Sequence, residues 1–351
     1  MQALTHLSCG TSERLERLLG TLPELATAER IDTAQLGELD LQGKRLLFTV
    51  AVDACGEDAA LCALLRYLRG QKDCLKGAVT AVIIDGATEF DTKGIARRLI
   101  LAANMAGCAF PGKPLVEATG SLQNLAVLQK KHALPSLEET YRFAAKALLE
   151  RLLSEAPIKK ERPRLLVLHA SDHRTSNTLA LGELVTGQLQ DFEIEMISLR
   201  NGTIHDCRGC SYKVCSHYAS RGSCFYGGVI VDEVLPAVLR CDALLLLCPN
   251  YNDAVGANIM AFINRMTSLT VSNALYGRSL YAIVVSGYSG GDLVAEQLLG
   301  ALCLNKAFSL PPRFCLLKTA NDPGAALRLP EIEKDAAVFA AAMRERLRSP
   351  A

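Results

Sequence analysis

The feature that most constrains this chain is a repeated alternation of short apolar runs with helix-spaced segments, clearest in its second half. Leu165–His169, Phe192–Leu199, Ala243–Cys248, Tyr281–Ser286 and Phe314–Lys318 are strand-sized and rich in leucine, valine and isoleucine. Between and after them, helices are predicted at Asn177–Leu189, Asp232–Arg240, Ala257–Thr270, Asp292–Asn305 and Glu331–Leu347. Phe192–Leu199 alternates with polar residues; continuous apolar runs suit strands buried on both faces, and the intervening helices supply the crossovers that parallel strands require. The pattern predicts an α/β fold: a doubly wound parallel five-stranded sheet whose ligands sit beyond the carboxyl ends of the strands.

The first half reads as a smaller, shortened α/β domain of the same kind. About 40 residues at the start look helical, with Thr11 or Ser12 capping a stripe of Leu15, Leu18 and Leu19. Strand Arg45–Val52, a helix through Leu61, Leu64, Leu65 and Leu68, strand Thr80–Asp85 and a helix over Thr92–Ala106 follow. Residues 156–164 are polar, charged and proline-bearing, as a linker between domains 1–155 and 165–351 would be. An internal echo pairs RLLFTVA from Arg45 with RLLVLHA from Arg164, and LKGAVTAVIIDG from Leu75 with LYGRSLYAIVVSG from Leu275. It suggests a shortened duplicate lacking strands two and three; chance likeness between apolar strands is the alternative.

Composition removes several classes of function. The formal net charge is +1 and tryptophan is absent, so neither a basic footprint for nucleic acid nor a rich set of stacking rings is present. No apolar run approaches the roughly 20 residues of a membrane helix, and the N-terminus has no basic start followed by an apolar block. A cytoplasmic location is expected, without membrane or nucleic-acid partners. The 13 cysteines are an odd number, and the expected cytoplasmic setting is reducing, which argues against a disulfide framework. Cys62, Cys108, Cys241, Cys248, Cys303 and Cys315 lie in apolar stretches and read as small buried hydrophobes.

Three loops carry the candidate chemistry. After the first C-terminal strand, Ser171–Thr178 offers the hydroxyls of Ser171, Ser176 and Thr178, the amide of Asn177 and the cation of Arg174, ahead of a helix start whose unpaired N–H groups favour a phosphate. Its glycine-free sequence is neither a Walker loop nor a GxGxxG turn. After the third strand, Pro249, Asn250, Tyr251 and Asn252 present amide and phenol groups; after the fourth, Ser286, Gly287, Tyr288, Gly290 and Gly291 let backbone pass close to a flat ligand. In the first half the matching place is read as Asp53–Ala60, where Asp53, Glu57 and Asp58 would repel a phosphate.

A fourth segment holds Cys207, Cys210, Cys215 and Cys224 within eighteen residues. Four thiolates so spaced could ligate an iron–sulfur cluster such as [4Fe-4S], or zinc, or belong to a ligand-free loop. His217 is a spare candidate ligand.

From about Arg164 to Thr319 the chain resembles the NADPH-dependent FMN reductase and multimeric flavodoxin family, near its iron–sulfur flavoprotein branch. Ser171–Thr178 matches that family's phosphate loop, Pro249 and Tyr251 its proline–x–tyrosine loop, Asn264 and Arg265 its polar–arginine pair, and Ser286–Gly291 its glycine-rich loop. The resemblance implies a flavodoxin-like fold holding FMN, with Ser171, Arg174, Ser176, Asn177 and Thr178 on the phosphate. Pro249, Asn250, Tyr251, Asn252, Gly287 and Tyr288 would frame the ribityl chain and isoalloxazine. It further implies an NAD(P)H oxidoreductase whose flavin, rather than a dedicated acid or base, carries the chemistry to a quinone, flavin or protein acceptor, and assembly as a homo-oligomer. An electron-transfer flavoprotein without a nicotinamide site and a non-catalytic scaffold are the alternatives. Departures are Asp172 where the family often has proline, Asn252 where it is often aromatic, an added charge at Asp253, and Lys213 where the branch has its third cysteine.

Overall fold

Parallel strands in the order 2-1-3-4-5 make up both sheets of the computed structural model, which describes residues 4–37, 39–56, 58–171, 175–200, 202–270 and 275–349. The chain divides into two units, Met1–Ala156 and Pro157–Ala351. In the first, β1 (Leu4–Cys9), β2 (Glu29–Asp32), β3 (Arg45–Val52), β4 (Val79–Gly86) and β5 (Leu115–Ala118) form one sheet. Helices α1 (Glu13–Leu19), α2 (Ala59–Gly70), α3 (Thr92–Met105), α4 (Ala126–His132) and α5 (Leu137–Ser154) belong to this unit. In the second, β6 (Arg164–His169), β7 (Glu193–Ser198), β8 (Ala243–Pro249), β9 (Ser279–Ser286) and β10 (Cys315–Thr319) form the other sheet. Its helices are α6 (Asn177–Thr186), α7 (Tyr212–Ala219), α8 (Leu235–Arg240), α9 (Ala257–Arg265), α10 (Thr267–Thr270), α11 (Gly291–Leu298) and α12 (Ile332–Leu347).

The expected doubly wound sheet of the C-terminal half is therefore present, with strand ends within two residues of those read from the sequence. Its central strands β6, β8 and β9 are buried on both faces, while the edge strand β7 is largely exposed: Leu165, Val167, Leu245, Leu247, Tyr281 and Ile283 pack with Leu181 and Val185 of α6 and with Phe339 and Met343 of α12. Gly182 lets α6 lie close to the sheet, since a Cβ there would fall 2.5 Å from a methyl carbon of Leu247. This close approach holds α6 against β8, and it packs on β9 as well.

The N-terminal half corrects the sequence reading. It is shorter in residues but lacks no strand: Leu4–Cys9, read as part of a helical start, is its first strand, and Arg45–Val52 is its third. Leu4–Cys9 is hard to see because Thr5 and His6 are polar yet buried, His6 Nε2 lying 2.8 Å from Thr49 Oγ1 on the adjacent β3. The helix expected over Leu15, Leu18 and Leu19 is present, capped by Ser12. Cys62 is a further correction. It is exposed, because it falls one position off the Leu61–Leu64–Leu65–Leu68 stripe that α2 buries. The charged stretch after Pro157 does not run free: Lys160 pairs in β-bridge fashion with Arg348 at the end of α12 and forms an ion pair with Asp242.

The echo between the halves is structural as well as textual in its second part. Positive φ recurs at an offset of 200 residues: Gly77 (74°) and Gly277 (84°), Gly107 (105°) and Ala307 (71°), Lys113 (53°) and Arg313 (51°). The isolated bridges Val79–Ala109 and Ser279–Ser309 share that offset. Left-handed backbone at a lysine, an arginine and an alanine is uncommon, so its recurrence marks the same chain path around β4–β5 and β9–β10. By contrast, RLLFTVA lies on β3 and RLLVLHA on β6, a third strand and a first strand, so that part of the echo joins unlike places.

Burial, with the Arg30 guanidinium nearby, lowers the pKa of His6 to about 4 from the usual 6.5. The unfolded chain takes up a proton near pH 6.5 while the folded chain resists until about pH 4. Stability therefore falls as pH drops through that window, by up to about 3 kcal/mol, and levels off below it. Urea unfolding monitored between pH 7 and 4 should show this slope in the wild type and a shallower one in His6→Gln.

Candidate functional site

A parallel sheet places the carboxyl ends of all its strands at one edge, so the loops that follow them meet. In the second unit they enclose a cavity of about 450 Å³. Ser171, Thr175, Ser176, Asn177 and Thr178 line it from the loop after β6 and the start of α6. Pro249, Asn250, Tyr251, Asn252 and Asp253 line it from the loop after β8, and Gly287, Tyr288 and Ser289 from the loop after β9. The three loops singled out in the sequence are thus brought to one place. Arg174, Asp172 and, in the other half, Glu57 lie outside the described residues.

Ser176 caps α6, its Oγ accepting from Leu179 N at 3.2 Å, while its hydroxyl hydrogen stays available as a donor. The helix start leaves the amides of Asn177 and Thr178 without partners inside α6. Thr178 is buried beneath this turn. The side chain of Asn177 works differently from the sequence reading. Its Nδ2 donates to Ala320 O and Asp322 O, and its Oδ1 accepts from Ala326 N, so it ties the loop after β10 to the helix start. That loop contributes Ala320, Asn321 and Pro323 to the cavity and was missed in the sequence. Its turn-rich TANDPG was the available signal.

Asn250 laces the β8 and β9 loops together. Its Nδ2 lies within 3.2 Å of Ser286 Oγ, Asp253 Oδ1 and Ser289 O, whereas its buried Oδ1 has no partner. Tyr251 to Ala254 form a tight turn closed by backbone bonds in both directions, with φ of 53° at Asn252 and 56° at Asp253. Two positive φ values in succession are the mark of a type I′ turn, and asparagine and aspartate are among the residues that tolerate them. Ser286, Gly290 and Gly291 shape the wall without lining it. Ser286 is buried behind the loop, and Gly290 caps α11 at φ 83°. Tyr251 (64% exposed) and Tyr288 (80% exposed) stand with their rings open to whatever enters.

The corresponding edge of the first unit is also hollow, with a cavity of about 460 Å³. There the loop after the first strand is Gly10–Thr11–Ser12, not Asp53–Ala60, which follows the third. Arg14 sits at this loop with its donors already engaged: Nε and Nη2 bond the buried Asp85 carboxylate, Nη2 also bonds Gly86 O, and Nη1 bonds Gly120 O. Ser12 Oγ donates to the same carboxylate at 2.9 Å. Asp85 thus occupies, from within the chain, the donors that an incoming anion would need.

The cysteine segment lies apart from the cavity wall. Cys215 is on α7, a helix the sequence reading did not anticipate, and the others are on flanking loops. Burial raises the Cys215 thiol pKa, and the nearby Cys207, Cys210 and Cys224 raise it further. Among the described residues, no group of three or more histidine, cysteine, aspartate or glutamate side chains is arranged as metal ligands would be, so the sequence-proposed ligand set is not assembled. The segment is held by α9. Asn258 donates to Leu199 O, Asn264 to Asp206 Oδ1, and the buried Arg265 to His205 O and Gly227 O. The polar–arginine pair of the sequence therefore anchors this excursion at both ends.

A five-stranded parallel sheet of this order, with a cavity at its carboxyl edge, is a flavodoxin-like domain. Within it, residues 163–322 match the family of NADPH-dependent FMN reductases. No curated protein matches the chain. Smu.1420 from Streptococcus mutans UA159 is 13% identical at a TM-score of 0.40, the match covering 51% of this chain and 99% of that one. The NAD(P)H:quinone oxidoreductase from Methanothermobacter marburgensis is 15% identical at 0.40, covering 54% and 100%. The Trp repressor binding protein from Bacillus subtilis is 18% identical at 0.34, covering 50% and 99%. No helix among the described residues is long and apolar enough to cross a membrane.

A Cβ at Gly290 would fall 1.8 Å from Asp253 Oδ1, and φ there is left-handed. Gly290→Ala should therefore lower stability by about 1–3 kcal/mol, through the αL penalty and displacement of the β8 loop. Chemical denaturation of the full chain measures this.

Proposed function

We propose that the unit Pro157–Ala351 binds one FMN in the β6–β8–β9 cavity and acts as an FMN-dependent NAD(P)H oxidoreductase delivering electrons to a small quinone- or flavin-class acceptor. The observation that carries the reading is the meeting of hydroxyl-bearing, amide-bearing and aromatic loops in one cavity, within the stretch that matches the FMN reductase family. The lining fits the cofactor on two counts. A helix start with a serine cap faces the cavity where a phosphate needs donors, and the buried, unpartnered Asn250 Oδ1 offers an acceptor.

Ser171, Ser176 and Thr178, with the amides at the start of α6, would hold the phosphate; Arg174 is the cation proposed to join them. Asn177 positions this turn through its bonds to the β10 loop. Pro249, Tyr251, Asn252, Gly287 and Tyr288 would bracket the ring, and Asn250 keeps the two bracketing loops in register. Bound FMN supplies hydride acceptance and electron delivery; the protein's part is binding, orientation and exclusion of water.

Titrating apo-protein with FMN and following flavin fluorescence should give one FMN per chain, because Asp85 already occupies the donors of Arg14 in the other unit. Ser176→Ala removes a cap worth about 1 kcal/mol and a phosphate hydroxyl. It should weaken FMN binding roughly tenfold. Anaerobic NADPH should bleach the bound flavin. Failure to bind FMN at micromolar concentration would refute the reading.

A further inference from the structure

We propose that Asp253 sets the charge class of the oxidant reduced at this site, favouring cationic and neutral quinones over anionic ones; this rests on the flavin reading above. Among the described residues that line the cavity, Asp253 is the one with a formal charge.

Its carboxylate is held in place rather than left to wander. The Tyr251–Ala254 turn fixes its backbone. Asn250 Nδ2 donates to Oδ1 at 3.2 Å, and the absent side chain of Gly290 leaves the notch in which that oxygen sits. Gln297 secures the turn from α11, its Nε2 donating to Asp253 O at 2.9 Å and its Oε1 accepting from Val255 N at 3.0 Å. Around it the wall includes Pro249, Val285, Tyr251 and Tyr288. A ligand covering such a wall displaces water, and the field of one fixed charge then acts at lower effective dielectric.

In the step concerned, a quinone takes two electrons and two protons and becomes the hydroquinone, while reduced flavin returns to its oxidised form. A negative charge at the cavity favours approach of a cationic quinone, opposes an anionic one, and disfavours negative charge on the reduced ring.

Asp253→Asn separates charge from structure, because asparagine accepts the left-handed conformation and keeps an oxygen for Asn250. With FMN-loaded full-length protein at low ionic strength, kcat/KM is measured for a quinone bearing a quaternary ammonium group and for a sulfonated quinone of the same ring. The cationic-to-anionic ratio should fall about tenfold in Asp253→Asn. In wild type, high salt should shrink it. An anaerobic redox titration should place the flavin midpoint of Asp253→Asn higher by about 30 mV, the two-electron equivalent of tenfold. FMN bound equally tightly with ratio and potential both unchanged overturns the proposal. If neither wild type nor variant binds FMN, the flavin reading fails and this proposal falls with it.

Discussion

Parallel pairing is the constraint from which the rest of each unit follows. Strands that run the same way cannot be joined by tight hairpins, so each connection crosses a face of the sheet, commonly as a helix that covers it. Covered faces require apolar strands, which is why β8 and β9 are buried almost throughout. The same arrangement sends every strand's carboxyl end to one edge, where the chain must leave the sheet as a loop. A cavity lined by residues as distant in sequence as Ser171 and Pro323 is thus a consequence of topology. Local choices decide what chemistry occupies it.

The two units show how far those choices can diverge on one topology. Both have the strand order 2-1-3-4-5 and both are hollow at the carboxyl edge. In the second, hydroxyls and helix-start amides face the hollow, and the Asn177 amide is engaged with backbone carbonyls. In the first, Arg14 makes paired hydrogen bonds with Asp85, which is nearly inaccessible to solvent. A buried aspartate beside an arginine satisfies a charge that would otherwise be costly. It also places a carboxylate among donors an external anion would require. Removing either partner leaves the other charge uncompensated, so the pair holds the first unit's edge in this state.

The C-terminal fold was legible because its central strands are continuous apolar runs, and its three cavity loops were legible because they follow those runs directly. What stayed hidden has physical causes. Leu4–Cys9 is a strand whose polar Thr5 and His6 are buried, so periodicity misassigned it, and Glu29–Asp32 and Leu115–Ala118 are four residues each, too short to carry a pattern. The loop after β10 joins the cavity through the side chain of Asn177, a contact spanning more than 140 residues that no local window contains. Cys62 shows the opposite failure: a residue in an apolar run can still sit one position off the buried stripe of a helix.

Asn250 is where local sequence and long-range assembly meet. A loop that only capped a strand could hold its residues with local bonds, but Nδ2 of Asn250 reaches across to Ser286 and Ser289. The β8 and β9 loops consequently cannot shift independently without breaking a partly buried hydrogen bond, and Gly290 adds a steric condition by admitting Asp253 where no other residue's Cβ would. Geometry at such a wall is set by the interlock rather than by either loop alone. Substitutions that preserve each loop's own turn chemistry can still misplace Tyr251 and Tyr288 relative to one another if they disturb Asn250, Ser286 or Gly290, none of which needs to touch a ligand to govern where one fits.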